Sequence, residues 1–453
     1  MMNSIKIPNE LREIASVFIK NNYQVFLVGG AVRDYCQGKT PSDFDIATDA
    51  SPQQVQRLFK RVLPTGIEHG TVTIRHKGKS FECTTFRTEG KYSDARHPDA
   101  VQFVPSIEED LSRRDFTINA MAISLETHAL LDLFGGAADL KAGIIRTVGK
   151  AEERLSEDPL RMLRAVRFAS RFQFVLEHST EQAIQTLAKK IVSVSPERIK
   201  DELSKMLVTA NPMIGLQLLD RTGLLDMIMP ELAAGRGMTQ GDFHNADVLT
   251  HSFVVCANTP NSLELRLAGL LHDIGKPKTR TVDESGAVHF YRHEIIGERM
   301  AEKILRRLKF PNKTVDKVKT LVRYHMFNYT SEWKNSTVRR FIISVGEDNI
   351  EDLLQLRLAD IRGLKKECAC NVSHIVEFQT RIEYILQNES CFHLKDLQMS
   401  GDDLLKLGVP KGKVIGQILN ELLQTVIDDP AQNDHETLLC IAKNLKEKYK
   451  INR

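Results

Sequence analysis

The sequence predicts an α+β chain in which a small head of mixed strands and helices precedes a long all-helical body. Two observations predict it. Residues 1–150 alternate short apolar runs with turns and brief helical stretches. From about residue 151 the apolar spacing changes to the 3.6-residue period and stays there.

In the head, LREIASVFIK (11–20) reads as a helix. YQVFLVGG (23–30), TVTIRH (71–76), FECTTF (81–86) and NAMAISL (119–125) read as strands. Beyond residue 151, PLRMLRAVRFASRF (159–172), EQAIQTLAKKI (181–191), PERIKDELSKML (196–207) and PMIGLQLLDRTGLL (212–225) are consecutive amphipathic helices with short polar joints. Glycine-rich AAGRGMTQGD (233–242) is the expected linker between two helical parts, and a looser joint falls near NESCF (388–392). These breaks suggest a head (1–150), a helical neck (151–232), a further helical domain (243–365) and a helical tail (380–453).

A chain of 453 residues is too long for one compact core. With 42% hydrophobic and 27% charged residues it has a folded rather than a disordered profile. No apolar run approaches the roughly 20 residues a membrane helix needs, and MMNSIKIPNE lacks the apolar core of a secretory signal. No membrane association is therefore expected. Seven scattered cysteines do not form a disulfide framework, and Cys368 and Cys370 are a lone CxC without the second pair a zinc site needs. The expected compartment is the cytoplasm. A net charge of +3 says little about partners. Basic runs at 113–116, 161–171 and 410–413 are candidate polyanion contacts, although such stripes are usually solvated helix faces.

The strand ending at Gly29-Gly30 runs straight into the helical AVRDYCQG. Two glycines let the backbone approach a ligand closely, and the free N–H groups of a helix start favour a triphosphate. Arg33, one turn in, adds a charge-assisted contact to the same phosphates. A plain strand-to-helix turn explains this segment about as well. Thr40-Pro41-Ser42-Asp43-Phe44-Asp45-Ile46 is more informative. Read as a turn entering a strand, it points Asp43 and Asp45 to one face, with Phe44 and Ile46 on the other. Neighbouring carboxylates repel, and a divalent cation removes the penalty. Magnesium suits oxygen ligands that leave room for substrate phosphates. The implied chemistry is attack of a hydroxyl on an α-phosphate. The bland alternative is a polar turn capped by Asp43.

GGAVRD followed by SDFDIAT resembles the signature of the polymerase-β-type nucleotidyltransferases, specifically the class II CCA-adding enzymes and their poly(A) polymerase relatives. RRDFTINAMA (113–122), DLFGG (132–136), EDPLRMLRAVRF (157–168) and PERIKDEL (196–203) match in the same order. The resemblance spans roughly residues 23–225, weakening toward the C-terminus. It implies a polymerase-β-like head, magnesium at Asp43 and Asp45, CTP and ATP as substrates and tRNA as partner. No obligate protein partner is evident.

The same resemblance implies that an ED-x-x-R motif, here Glu157, Asp158 and Arg161, reads the incoming base. Physically, residues three apart on a helix share a face, and an aspartate beside an arginine presents an acceptor–donor edge. Cytosine and adenine both offer an amine beside a ring acceptor, whereas uracil and guanine reverse that order. Asp158-Pro159 also reads as a simple helix cap. Arg164 and Arg167 continue the face toward the triphosphate or the tRNA end, and Arg114 resembles the family's nucleotide-contacting arginine. Asp115 and Asn119 are expected to fix the loop beneath the site. TEGKYSDARHPDAVQF (88–103) is similar to the flexible loop that family members use to add the terminal A, or is an ordinary hairpin connection.

Residues 244–360 hold His251, the His272-Asp273 pair of LLHDIGK, His293, His325 and Asp360. Imidazoles with carboxylates suit divalent metals. The set resembles the HD-superfamily phosphohydrolases, implying a second metal site at His251, His272, Asp273 and Asp360, in a domain either active on RNA-end phosphoesters or retained as scaffold. In the tail, Lys411 and Lys413 of LGVPKGKVIG are either a seat for RNA phosphates or a solvated helix start. The expected function is addition of CCA to tRNA. The alternatives are a transferase adding only the terminal A, and an HD phosphohydrolase with a degenerate head.

Overall fold

The computed structural model describes residues 7–89, 101–240, 246–364, 372–388 and 393–449. The chain divides into two compact units, residues 1–234 with 304–310, and residues 235–303 with 311–453. The boundary at 234/235 falls within the glycine-rich stretch expected to be a linker. The CxC at 368–370, most of the 88–103 loop, and residues 389–392 of NESCF lie outside the described residues.

The first unit is built on a mixed sheet. Along the chain come β1 (Val25–Val28), β2 (Asp45–Thr48), β3 (Val62–Gly66), β4 (Thr71–His76) and β5 (Lys79–Thr85). A separate hairpin of β6 (Arg87–Glu89) and β7 (Val101–Phe103) follows, then β8 (Met121–Ser124) and β9 (Leu130–Asp132). Seven of these form one sheet in the order β3-β4-β5-β2-β1-β8-β9. β1 pairs antiparallel with both β2 and β8, while the central β2 runs parallel to β5. Phe81, Cys83 and Thr85 of β5 are buried and Glu82 between them is open, the alternation a one-sided strand requires. The sequence reading passed over β3: its residues are half-buried or exposed at the sheet edge, so no apolar run marks it.

Helices α1 (Asn9–Lys20), α2 (Gly30–Cys36), α3 (Pro52–Leu58), α4 (Ile107–Ser112) and α5 (Gly136–Ala142) complete the head. α1 buries Leu11, Ile14, Ala15 and Phe18, one stripe of its 3.6-residue turn. Val28, Ala47, Phe86, Ile107, Leu111 and Ala122 form a core that pins β1, β2, β8 and α4 to one another.

The helices that follow are α6 (Ala151–Glu157), α7 (Leu160–Phe172), α8 (His178–Leu187), α9 (Pro196–Leu207), α10 (Pro212–Arg221), α11 (Leu224–Ile228) and α12 (Pro230–Ala233). Two predicted helices are interrupted. The 181–191 helix tightens to a 3-10 turn from Ala188, and the 212–225 helix breaks at Gly223, whose φ of 75° is left-handed. A parallel pair, β10 (Ile144–Ile145) and β11 (Val175–Leu176), ties the entry of α6 to the exit of α7.

The second unit contains α13 (Val248–Asn258), α14 (Leu263–Leu271), α15 (Lys276–Thr279) and a hairpin of β12 (Arg280–Val282) and β13 (Val288–Phe290). α16 (His293–Arg307), whose residues from 304 on are counted with the first unit, α17 (Asn312–Tyr324), α18 (Asn335–Val345), α19 (Glu347–Arg362) and α20 (Val372–Asn388) come next. α21 (Gly401–Lys406), α22 (Lys413–Asp428) and α23 (His435–Lys448) close on a core of Leu404, Ile418, Leu422, Val426 and Leu438. Among the described residues no helix is long and apolar enough to cross a membrane. The described Cys36, Cys83, Cys256 and Cys440 are free thiols.

The DLFGG segment acts as a clamp. Asp132 accepts the amides of Gly136 and Ala137 at 2.7 and 2.9 Å, capping α5. A Cβ on Gly136 would lie 2.2 Å from the Thr117 carbonyl oxygen, backbone against backbone. Gly136→Ala is therefore expected to destabilise the unit by roughly 1–3 kcal/mol, seen as a lower urea midpoint with unchanged slope. An unchanged midpoint would show that the two backbones separate without cost.

Candidate active site

Two adjacent strands bring the glycine turn and the aspartates together. β1 delivers Gly29 with φ 69°, a left-handed conformation that glycine adopts without strain. Val28 pairs with Asp45 across the β1–β2 ladder. A Cβ at Gly29 would sit 3.4 Å from Asp45 Oδ2 and 3.7 Å from Arg114 Nη1, so turn, carboxylate and arginine converge. The strand begins at Asp45, not at Asp43. Asp43 stands in the preceding bend, where Ser42 donates to its Oδ2 at 3.0 Å. Asp43 thus precedes the ladder by two residues. The two aspartates are still close enough for Asp43 to act on Asp45 electrostatically.

A third carboxylate joins them. The parallel β2–β5 register sets Glu82 directly opposite Asp45. Burial, then Glu82, push the Asp45 carboxyl above its ordinary range; Arg114 opposes them, and Asp43 adds to the rise. An oxygen-only group that resists its own ionisation is a fit for a hard divalent cation. Glu82 was missed in the sequence reading. Its available signal was one acidic residue on the open face of an otherwise apolar strand.

Next to these groups lies a cavity of about 890 Å³ lined by Gly29, Gly30, Arg33, Glu82, Arg114, Asp158, Arg161, Arg164 and Arg167, together with Arg113, Arg171 and Arg198. Nearly every cation in it is tied. Arg33 donates to Asn119 Oδ1 at 2.8 Å, and its guanidinium lies 4.7 Å from the Phe172 ring centroid. Burial lowers its pKa. Arg114 spans Asp110 Oδ2 and the Asn119 carbonyl at 3.2 and 3.3 Å. Arg164, expected to reach phosphate, donates through Nε and Nη2 to Asp115 Oδ2 at 2.8 and 2.6 Å. Arg167 donates to Glu202 at 2.5 Å and covers the Phe168 ring. Asp115 also accepts from the Phe116 amide and Asn119 Nδ2, at 2.9 and 3.2 Å. Burial would raise Asp115, but Arg164 and these hydrogen bonds hold it below its ordinary range.

The pair expected to read the base opens onto the same cavity, although not as two positions of one helix. Asp158 is extended, with φ −133° and ψ 100°, because α6 ends before it and Pro159 opens α7. Its Oδ1 accepts the Leu160 amide at 3.0 Å and its Oδ2 accepts Arg198 at 2.9 Å. Arg161 lies inside α7 and donates to Glu157 Oε2 at 2.6 Å and to the Arg154 carbonyl at 3.0 Å. The carboxylate that caps the helix start also lines the cavity.

In the second unit the six histidines and aspartates expected from the sequence form a buried cluster. Donor atoms of His251, His272 and Asp360 lie within 4.8 Å of one another, as do those of Asp273, His293 and His325. Asp273 is central: Oδ2 is 3.1 Å from His272 Nε2 and 3.8 Å from His251 Nε2, and Oδ1 is 3.3 Å from His293 Nε2. Nδ1 of His272, His293 and His325 meets the Gly269, Phe290 and Val322 carbonyls at 2.9, 2.9 and 2.7 Å. A proton on each Nδ1 leaves Nε2 as a lone pair directed inward, the arrangement that prepares imidazole for metal. Burial first, then His272, hold the His325 pKa down at about 3, keeping the ring neutral as a ligand must be. Arg357 orients Asp360 at 2.8 Å, and Lys276 meets Asp273 Oδ2 at 2.7 Å.

Comparison with known proteins decides the family. The description "Poly A polymerase head domain" matches residues 25–146. "Probable RNA and SrmB- binding site of polymerase A" matches 173–235, and a second-domain family of tRNA nucleotidyltransferases matches 287–442. The CCA-adding enzyme of Bacillus subtilis is 34% identical over 421 residues, 93% of this chain and 94% of its own. That of Enterococcus faecalis is 32% identical over 456 residues, 99% of each chain. The chain belongs to the CCA-adding enzyme family.

The solved CCA-adding enzyme of Bacillus stearothermophilus in complex with CTP is 29% identical, covers 98% of each chain and superposes with a TM-score of 0.70. The polymerase-type head, mixed sheet and helical body predicted from the sequence are thereby shown for this CCA-adding family member. The Thermotoga maritima enzyme complexed with tRNA is 21% identical with a TM-score of 0.59, a likeness of fold.

The Asp115–Arg164 pair makes the stability of this unit pH-dependent in one direction. A carboxylate whose pKa is lower folded than unfolded contributes stability above the unfolded value, and that stability is lost as pH falls through the folded value. Asp115→Asn is expected to cost about 1–3 kcal/mol at neutral pH and to flatten the decline in urea midpoint below the ordinary aspartate range. A variant as acid-sensitive as the parent would remove Asp115 from that role.

Proposed function

We propose that this chain completes the 3′ end of tRNA, adding C, C and A from CTP and ATP without a template. The tRNA 3′-hydroxyl attacks the nucleotide α-phosphate and pyrophosphate leaves. The observation that supports this best is one cavity that reaches from Glu82, the residue opposite Asp45, to the tethered Asp158 and Arg161, in a chain of this family. A cytoplasmic location suits enzyme and substrates alike.

Asp43 and Asp45, with Glu82 opposite, would hold magnesium. Bound there, it would supply charge neutralisation at the attacking and leaving oxygens. The amides after the Gly29 turn and the arginines of the wall receive the triphosphate. Asp158 accepts the exocyclic amine of cytosine or adenine while Arg161 donates to the neighbouring ring nitrogen. Arg198 and Glu157 hold these two from behind, so the edge is fixed before the nucleotide arrives. Uracil and guanine present a carbonyl to Asp158 and an N–H to Arg161, and both contacts repel.

The test is extension of tRNA transcripts lacking CCA, ending in CC, and complete, with CTP and ATP supplied separately and together. Growth of the first to full CCA is expected. Growth of only the CC-ended transcript with ATP would make the chain an A-adding enzyme. Asp43→Ala and Asp45→Ala should abolish incorporation while tRNA binding persists, because basic contacts dominate affinity. Arg161→Ala and Asp158→Ala should lose about 1–3 kcal/mol of base discrimination each.

For the second unit we propose an HD-type centre that holds a divalent metal and hydrolyses RNA-end phosphoesters such as 2′,3′-cyclic phosphates. Its support is six buried ligands with three imidazoles locked at Nδ1. Elemental analysis of purified protein should find metal that His272→Ala with Asp273→Ala removes, with nucleotide addition intact. Metal-free parent protein that binds neither manganese nor zinc would end this reading.

A further inference from the structure

Arg154 does not line the nucleotide cavity, yet its guanidinium joins the two sides of it. It projects from α6, the short helix that ends at the base-reading Asp158. Nη2 donates to the Ser112 carbonyl at 2.7 Å and Nη1 to the Arg113 carbonyl at 3.2 Å. These are the last carbonyls of α4 and the residue after it, which have no partner within their own helix. The next residues are Arg114 and Asp115, whose side chains line the cavity. Nε donates to the Val148 carbonyl at 3.3 Å, and Nη1 also reaches Glu157 Oε2 at 2.9 Å. That same carboxylate oxygen holds Arg161 at 2.6 Å, and the Arg154 carbonyl is a second acceptor for Arg161. The side chain is 17% exposed, so these contacts form largely out of water.

We infer that Arg154 is a positioning residue that sets the registry between the Arg113–Asp115 turn and the Asp158–Arg161 base edge. The reading rests on those two residues being the base edge. A nucleotide is one rigid object with a phosphate end and a base end. A protein can compare bases by hydrogen-bond order only when the phosphate anchor and the reading edge are fixed relative to each other. Slack of an ångström lets uracil or guanine slide until one contact is made and the other is avoided. Arginine alone among the side chains offers a planar fork of five donors able to span three carbonyls and a carboxylate. A lysine keeps the charge but reaches only part of that set.

The inference is tested by single-nucleotide incorporation into CCA-lacking tRNA with CTP, UTP, ATP and GTP, comparing Arg154→Met and Arg154→Lys with the parent. Arg154→Met should lower kcat/KM for CTP and ATP about 10- to 100-fold. It should also shrink the CTP-over-UTP ratio by about tenfold, with thermal unfolding still cooperative. Arg154→Lys should recover part of the rate and less of the ratio. If Arg154→Met does not fold, the lysine variant alone decides by whether its ratio falls. A general loss of rate with the parental base ratio kept in every folded variant would overturn the inference and leave Arg154 a structural strut. Asp158→Ala run alongside separates the two readings. If it keeps discrimination, the base edge is misassigned; if it loses discrimination while Arg154→Met does not, only the role of Arg154 fails.

Discussion

The buried carboxylate of Asp115 holds the head and the neck to a common geometry. One of its oxygens takes both donors of Arg164 from α7, and the other takes Asn119 and the Phe116 amide from its own turn. Asn119 in turn accepts Arg33 from α2, just past the glycine turn. A line of hydrogen bonds thus runs from the helix after the Gly29-Gly30 turn through the RRDF segment into the first long helix of the neck. It adds to the Arg154 contacts from α6 in fixing the carboxylates on the sheet relative to Asp158 and Arg161. The aromatic side chains reinforce the line: Phe116 packs edge-on against Phe168, and Arg33 rests on Phe172.

The many arginines around the cavity are also explained by pairing. An unpaired cation in a half-buried wall would repel its neighbours and wander; one held by a carboxylate is aimed. Asp110, Asp115, Glu157 and Glu202 each fix at least one guanidinium. The result is a surface with net positive character toward a polyphosphate and little reorganisation left to do when one arrives. Positions read from the sequence as phosphate contacts are therefore partly second partners. Arg164 and Arg167 reach the cavity with guanidiniums already engaged by Asp115 and Glu202.

How far the sequence could be read depended on whether a signal was local. The change of period near residue 151, the GG turn and the ED-x-x-R spacing are local, and the structure places all of them at or beside the cavity. The 60s strand was silent because an edge strand needs no apolar stripe. Glu82 was silent for a different reason: its meaning arises from a parallel register 37 positions distant in the chain, Asp45 against Glu82. The turn entering a strand at 40–46 was legible, but the ladder itself starts only at Asp45. In the second unit the sequence exposed the ligand types but not their division. Only folding shows Asp273 standing between two groups of histidines.

The double attachment of Asp158 has an evolutionary side. One oxygen starts α7 through the Leu160 amide, and the other is clasped by Arg198 from α9. The atoms proposed above to choose the nucleotide are thus the atoms that begin a helix and join it to another. A lineage drifting toward looser base choice at this position would lose part of its fold in the same step. Under the proposed base-reading role, fidelity and foldability therefore rest on one side chain, and selection for either bears on the other.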